Sequence, residues 1–174
     1  MNLPNILTLV RIAMVPVVIL FFILDEPFWA LGIFLLAGFT DVLDGWIARK
    51  YNLITAFGQV MDPLADKLML MTTLICLYIT GRVPLAVPII VVVKEWTMIT
   101  AAALLYRKNI IQPANLFGKL STLLFTVAVI LSFMSDYVAP LHTFFLFLST
   151  GVAVFAMVNY GFKVIRMNPH LFKK

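Results

Sequence analysis

Six apolar runs, each close to membrane-spanning length and separated by short polar breaks, constrain this chain more than any other feature of its sequence. They cover residues 5–24, 28–47, 63–80, 84–106, 117–135 and 140–162. A helix rises about 1.5 Å per residue, so roughly 20 apolar residues cross a hydrocarbon core of about 30 Å. In 174 residues these runs leave little room for anything else. Charged residues make up 12% of the chain and hydrophobic ones 63%, against about 25% charged in an ordinary soluble domain, which excludes that class. One cysteine, Cys76, cannot build a disulfide scaffold, and no basic run is present to hold nucleic acid. The first run differs from a cleaved signal segment, because Arg11 and Pro16 interrupt it and no small-residue cleavage pattern precedes Asp25. No repeat, low-complexity segment or linker divides the sequence. The expected fold is an all-α polytopic membrane protein of six transmembrane helices, forming one domain over residues 1–174.

Charge in the connections gives the expected orientation. Asp25 and Glu26 follow the first run, Arg49 and Lys50 the second, and Arg82 the third. Arg107, Lys108 and Lys119 flank the fourth connection, Asp136 lies in the fifth, and Lys163, Arg166, Lys173 and Lys174 come last. Basic residues accumulate on the cytoplasmic side of a membrane, which puts both termini in the cytoplasm and makes the net charge of +5 a consequence of topology.

Eight acidic residues are present, and Asp25, Glu26 and Asp136 fall in connections expected to be external. The remaining five lie in or beside apolar helices. Asp41 and Asp44 are three apart near the end of the second run, and Asp62 and Asp66 are four apart at the start of the third. Both spacings place side chains on one helical face. Asp62 alone could be a helix N-cap with Pro63 in the first helical position. The set of four needs another reason, since an aspartate deep in a membrane helix costs roughly 2.5–3.5 kcal/mol on insertion scales. Convergent carboxylates repel one another and call for cations. Two divalent ions would neutralise four of them, and an all-oxygen set without His or Cys favours Mg²⁺ or Mn²⁺. Paired ions of this kind serve displacement at phosphorus.

The stretch Asp41-Val42-Leu43-Asp44-Gly45-Trp46-Ile47-Ala48-Arg49, continued by Gly58, Asp62 and Asp66, resembles the signature of the CDP-alcohol phosphotransferases. Every signature position is matched. Pro4-Asn5 with Thr8 and Arg11, and Met61-Asp62-Pro63-Leu64-Ala65-Asp66-Lys67, are similar to the bacterial branch of that family that makes phosphatidylglycerophosphate. The resemblance implies that Asp41, Asp44, Asp62 and Asp66 hold two metal ions and that Asp66 also takes the proton of the acceptor hydroxyl. It implies that Gly45 and Ala48 leave room for cytidine and that Arg49 meets the phosphates of CDP, with Gly58 counted in the same nucleotide site. Residue chemistry agrees, because a glycine admits close approach to backbone and a guanidinium binds phosphate in bidentate fashion. Taken alone, small residues pack helices and Arg49 with Lys50 could anchor the interface. Gly58 also suits a turn.

Asn5, Thr8 and Arg11 recur at intervals of three and share a face, which is expected to line the CDP cavity. Lys94 and Glu95 stand midway along the fourth run, where the family carries Arg-Glu or Arg-Asp. They are assigned to support of the site, with adjacent positions pointing about 100° apart. Arg107 and Lys119 are assigned to the phosphate of the acceptor. There the branch often carries Gly-Lys-x-Lys-Thr, whereas this chain reads Gly118-Lys119-Leu120-Ser121-Thr122.

The expected activity is transfer of a phosphatidyl group from CDP-diacylglycerol to glycerol 3-phosphate with release of CMP. The expected setting is a bacterial cytoplasmic membrane, with the site facing the cytoplasm, a homodimeric assembly and no nucleic-acid partner. A cardiolipin synthase of the same superfamily, taking phosphatidylglycerol, is the alternative acceptor reading. A divalent-cation transporter also predicts intramembrane aspartates. It leaves Gly45 and Ala48 unexplained, and needs polar groups along the full depth, which the sequence lacks beyond Lys94 and Glu95.

Overall fold

The computed structural model describes residues 3–51, 53, 55–107 and 116–167. Those residues form six helices: α1 (Leu3–Ile23), α2 (Pro27–Lys50), α3 (Ala56–Ile79), α4 (Ala86–Arg107), α5 (Leu116–Phe133) and α6 (Ser135–Met167). Each apolar run corresponds to one helix, and no strand occurs among the described residues. Three segments, Pro4–Ile23, Pro27–Lys50 and Ser135–Asn159, are long and apolar enough to cross a membrane. The charges expected from the sequence lie within the others: Asp62, Asp66 and Lys67 in α3, and Lys94 and Glu95 in α4. The apolar helix Leu120–Phe133 is shorter.

Two compact units divide the chain, Met1–Val83 and Pro84–Lys174. In the first, α1 packs against both α2 and α3, which touch each other much less. The pattern of burial explains how. On α1, Thr8, Arg11 and Val18 are buried, and on α2 the buried residues are Ala30, Ala37, Thr40 and Asp44. Both sets repeat at close to seven residues, which keeps one stripe facing a neighbouring helix. The α2 stripe is made of small side chains that let backbones approach, as helices in lipid require in the absence of a hydrophobic drive. Its last member is Asp44, so the seam that packs the helix also delivers a carboxylate. On α3, Ala65, Met69, Thr73, Cys76 and Leu77 form the corresponding face. Large apolar residues such as Trp29, Phe39, Val42 and Ile79 remain exposed on the outside, as lipid-facing positions would.

Two turns of one kind close α1 and α3. After α1, Asp25 adopts φ 57°, the Asp25 amide donates to the Phe22 carbonyl, and the Glu26 amide donates to that of Phe21. After α3, Gly81 adopts φ 73°, with its amide on the Tyr78 carbonyl and the Arg82 amide on that of Leu77. These are Schellman motifs, in which a left-handed residue satisfies the last helical carbonyls. Glycine meets that requirement without strain, and Pro27 then starts α2.

Two helix starts differ from the sequence expectation. α3 begins at Ala56 rather than near Pro63, because Thr55 accepts a hydrogen bond from the Gly58 amide and caps the helix. Asp62 is therefore nearly two turns inside α3 and is no cap, and Gly58 belongs to the first helical turn rather than to a loop. α6 spans Ser135–Met167, yet Val138 has non-helical angles (φ −128°, ψ 34°). The break lies just before Pro140, whose ring cannot continue a regular helix from the residues preceding it.

In the second unit α6 packs against α5 and, less extensively, against α4. Its core holds Val87, Val91, Phe125, Val129, Phe133 and Leu146. Buried Ser132, Ser149 and Thr150 donate to carbonyls one turn back on their own helices, so their hydroxyls need no partner elsewhere. Lys94 and Glu95 do pair with each other, Nζ to Oε1 at 2.8 Å. Long, flexible side chains span the angle that separates adjacent positions.

Overpacking the small-residue seam should cost about 1–3 kcal/mol. Ala37→Leu is expected to lower the thermal midpoint in detergent by several degrees, while Phe39→Leu on the exposed face leaves it nearly unchanged. Equal midpoints for the two variants would remove the seam from the account of how α2 packs.

Candidate active site

The α1 stripe carries the site, and each of its polar residues reaches a partner on another helix or its cap. Asn5 Oδ1 accepts from the Thr55 hydroxyl at 2.8 Å, joining α1 to the cap of α3. One turn on, the fully buried Thr8 donates to Asp62 Oδ1 at 2.5 Å and lies 3.1 Å from the Pro4 carbonyl. One further turn on, Arg11 gathers the other three aspartates. Its Nη1 lies 2.8 Å from Asp41 Oδ1 and 2.7 Å from Asp66 Oδ1, and Nη2 lies 2.5 Å from Asp44 Oδ2.

A guanidinium buried to 1% exposure is tolerable only with such partners. Three anions on one cation leave a local excess of negative charge, and Asp62 adds to it. Among the described residues the buried Arg11 Nε finds no hydrogen-bond partner, and a buried donor left unpaired costs about 1–3 kcal/mol. The carboxylates also differ in access. Asp44 is 3% exposed, whereas Asp41 and Asp66 are 39% and 46% exposed and present open edges to a ligand.

The donor set suits a hard divalent ion, being carboxylate oxygen throughout. In the present arrangement Asp41, Asp44 and Asp66 each turn an oxygen to Arg11. No group of three or more acidic, histidine or cysteine side chains among the described residues stands in a metal-holding geometry.

The two signature glycines differ in what surrounds them. A Cβ on Gly45 would meet only the Arg49 guanidinium, at 3.5–3.9 Å, an ordinary contact with the end of a flexible side chain. A Cβ on Gly58 would meet Thr55 Oγ1 at 3.2 Å, Asn5 Oδ1 at 3.3 Å and Asp62 Oδ2 at 3.4 Å. Packing within the protein thus bears on Gly58, whereas the described residues place no such steric constraint on Gly45. Ala48 is half-buried one turn beyond Gly45. Arg49 and Lys50 also separate: Lys50 Nζ lies over Trp46 and Tyr51, 4.4 and 5.7 Å from their ring centroids, a cation–π anchor, while Arg49 folds back over Gly45. Of the residues assigned to the acceptor, the side chains of Arg107 and Lys119 lie outside the described residues, as does Lys108.

Sequence reasoning placed the four aspartates together and missed two partners. Thr55 was hidden because Pro63 offered a more obvious helix start. Arg11 was assigned to the nucleotide, although four acids near one buried cation could have pointed to it.

The profile of the CDP-alcohol phosphatidyltransferase family matches residues 1–161. The chain belongs to this family. Curated relatives include the CDP-diacylglycerol–glycerol-3-phosphate 3-phosphatidyltransferases of Rickettsia bellii, 39% identical over 71% of this chain and 70% of the relative, and of Bacillus subtilis, 31% identical over 96% and 95%. A cardiolipin synthase fused to a mitochondrial hydrolase in Schizosaccharomyces pombe is 37% identical over 64% of this chain and 19% of its own length. The family takes a CDP-alcohol and an alcohol acceptor and is generally divalent-metal dependent. Its profile covers both compact units.

The contrast between the glycines can be measured. Gly45→Ala gains helix propensity of up to about 1 kcal/mol and should hold or raise the thermal midpoint. Gly58→Ala crowds three oxygen atoms, two of them hydrogen-bonded to each other, an effect of about 1–3 kcal/mol that outweighs the same gain and should lower it. Shifts in the same direction would contradict the packing described.

Proposed function

We propose that this chain transfers a phosphatidyl group from CDP-diacylglycerol to glycerol 3-phosphate, giving phosphatidylglycerophosphate and CMP. The observation that carries the reading is the convergence of Asp41, Asp44 and Asp66 on one buried point between α2 and α3, with Asp62 held beside them, in the complete family signature. Relatives named for this reaction match most of the chain.

Asp66 accepts the proton of the acceptor hydroxyl, a role suited to its exposed edge. The freed oxygen attacks the phosphorus bearing diacylglycerol, the bond to the CMP oxygen breaks, and CMP leaves with the electron pair. Gly45 and Ala48 give the nucleotide its space and Arg49 its phosphate contact, while Asn5, Thr8 and Gly58 act at the same site by fixing Asp62 and the start of α3. Two divalent ions, Mg²⁺ or Mn²⁺, held by Asp41, Asp44, Asp62 and Asp66, would supply the positive charge that a displacement at pyrophosphate needs. Arg107 and Lys119 are assigned to the acceptor phosphate on the chemistry of charge-assisted hydrogen bonding.

In this reading all six helices span a bacterial cytoplasmic membrane, as one catalytic domain with both termini in the cytoplasm, and the enzyme is a homodimer. The site faces the cytoplasm, because one substrate is embedded lipid and the other dissolves in water. Phosphatidylglycerol as acceptor is the second reading, favoured by the likeness to the Schizosaccharomyces pombe protein and by Ser121 in place of a second lysine.

Purified protein in detergent should lose activity with chelator and recover it with Mg²⁺ or Mn²⁺. Asp66→Asn should keep CDP-diacylglycerol binding and lose transfer by about 10² or more, the scale of general-base catalysis. Gly45→Ala should weaken CDP-diacylglycerol by roughly tenfold, about 1.4 kcal/mol. Product identity decides the acceptor: cardiolipin from phosphatidylglycerol, with nothing formed from glycerol 3-phosphate, would replace the first reading by the second.

A further inference from the structure

Asp41 and Asp66, from different helices, share a single nitrogen of Arg11, and Asp44 takes the other terminal nitrogen. Nη1 therefore stands where a cation bridging α2 and α3 would have to stand. A divalent ion drawing on the same oxygens would face the guanidinium at close range, and like charges in a buried site disfavour each other. Among the described residues the buried Nε finds no partner, so there the guanidinium is held by the carboxylates on its two terminal nitrogens. Asp62 is different, since Thr8 fixes it without help from Arg11.

From this arrangement we infer that Arg11 is an exchangeable internal counter-ion: it holds Asp41, Asp44 and Asp66 together when divalent ions are scarce and gives up their oxygens when the ions bind. The inference rests on the metal-dependent reading above and adds to it a role for a residue on α1. It makes Arg11 a positioning residue that competes with the metal, while Thr8, on the same stripe, presets one ligand and assists it.

Competition has a sign that a merely structural role does not share. Removing a structural support loosens the site and weakens metal binding. Removing a competitor strengthens it, provided the protein is folded.

The test is Mn²⁺ titration of the full chain in detergent, reading the free-ion signal by electron paramagnetic resonance, with thermal melts in chelator and in Mn²⁺. Wild type should melt somewhat higher in Mn²⁺ than in chelator, because an ion that binds the folded protein stabilises it. Arg11→Gln should melt lower in chelator, recover with Mn²⁺, and bind Mn²⁺ about tenfold or more tighter than wild type, a change of about 1.4 kcal/mol. Thr8→Val should bind it more weakly. Arg11→Lys offers one ammonium in place of two contacting nitrogens and should lie between wild type and Arg11→Gln. It decides the matter if Arg11→Gln does not fold. Affinity equal to or weaker than wild type in the folded Arg11 variants overturns the exchange and leaves metal-dependent transfer standing. Absence of Mn²⁺ binding in every protein, wild type included, overturns both.

Discussion

The first unit depends on one interaction, the buried guanidinium of Arg11 against aspartates from two other helices. α2 and α3 contact each other sparingly and each packs on α1, so the carboxylates they carry meet only because α1 lies against both. Removing one partner from a buried ionic network of this kind typically costs about 3–5 kcal/mol. That is large beside the roughly 0.2–1 kcal/mol of an exposed pair. The charge cluster is thus a packing element as well as a candidate reaction centre. Helix association here combines close approach of small residues with a polar centre that lipid cannot satisfy.

One periodicity produces both effects. Thr8, Arg11 and Val18 on α1, and Ala30, Ala37, Thr40 and Asp44 on α2, lie on stripes that would exist in any packed helix pair. Polar residues occupy one end of each stripe and apolar or small residues the rest. The boundary between them sets the depth of the site along the helices. A shift of one residue in α2 would turn Asp44 off the seam and leave its charge without Arg11. The register of the helix pair and the geometry of the carboxylates are consequently the same quantity, and neither can drift without the other.

Much of this was legible in the sequence because it follows from local spacing. Intervals of three and four among Asp41, Asp44, Asp62 and Asp66 fix a shared face on each helix, and the apolar runs fix the number of helices. What was not legible depends on partners distant in the chain. Asp62 followed by Pro63 satisfies every local rule for a helix start, yet Thr55 caps α3 about two turns earlier, and its hydroxyl also reaches Asn5 on α1. Similarly, Lys94 and Glu95 are poorly placed to pair by helix geometry alone, and they pair because both side chains are long enough to bend toward each other. Arg11 illustrates the same limit: its position in an apolar run marked it as functional, while the choice between an anionic ligand and an aspartate needed the third dimension.

The two signature glycines show how a motif residue can be retained for unlike reasons. Gly58 is surrounded by Thr55, Asn5 and Asp62 at distances that leave a methyl group little room, so packing within the fold opposes a larger residue there. Around Gly45 no such crowding occurs among the described residues, and the nearest atoms a Cβ would meet belong to the end of the Arg49 side chain. A helix interior without side-chain bulk carries a propensity cost of about 1 kcal/mol relative to alanine, and here no packing contact offsets it. The proposed function assigns the offset to its substrate: the base of a nucleotide takes the space beside the α2 backbone and its phosphates take the Arg49 guanidinium, so that under that proposal the glycine and the nearby cation serve one ligand.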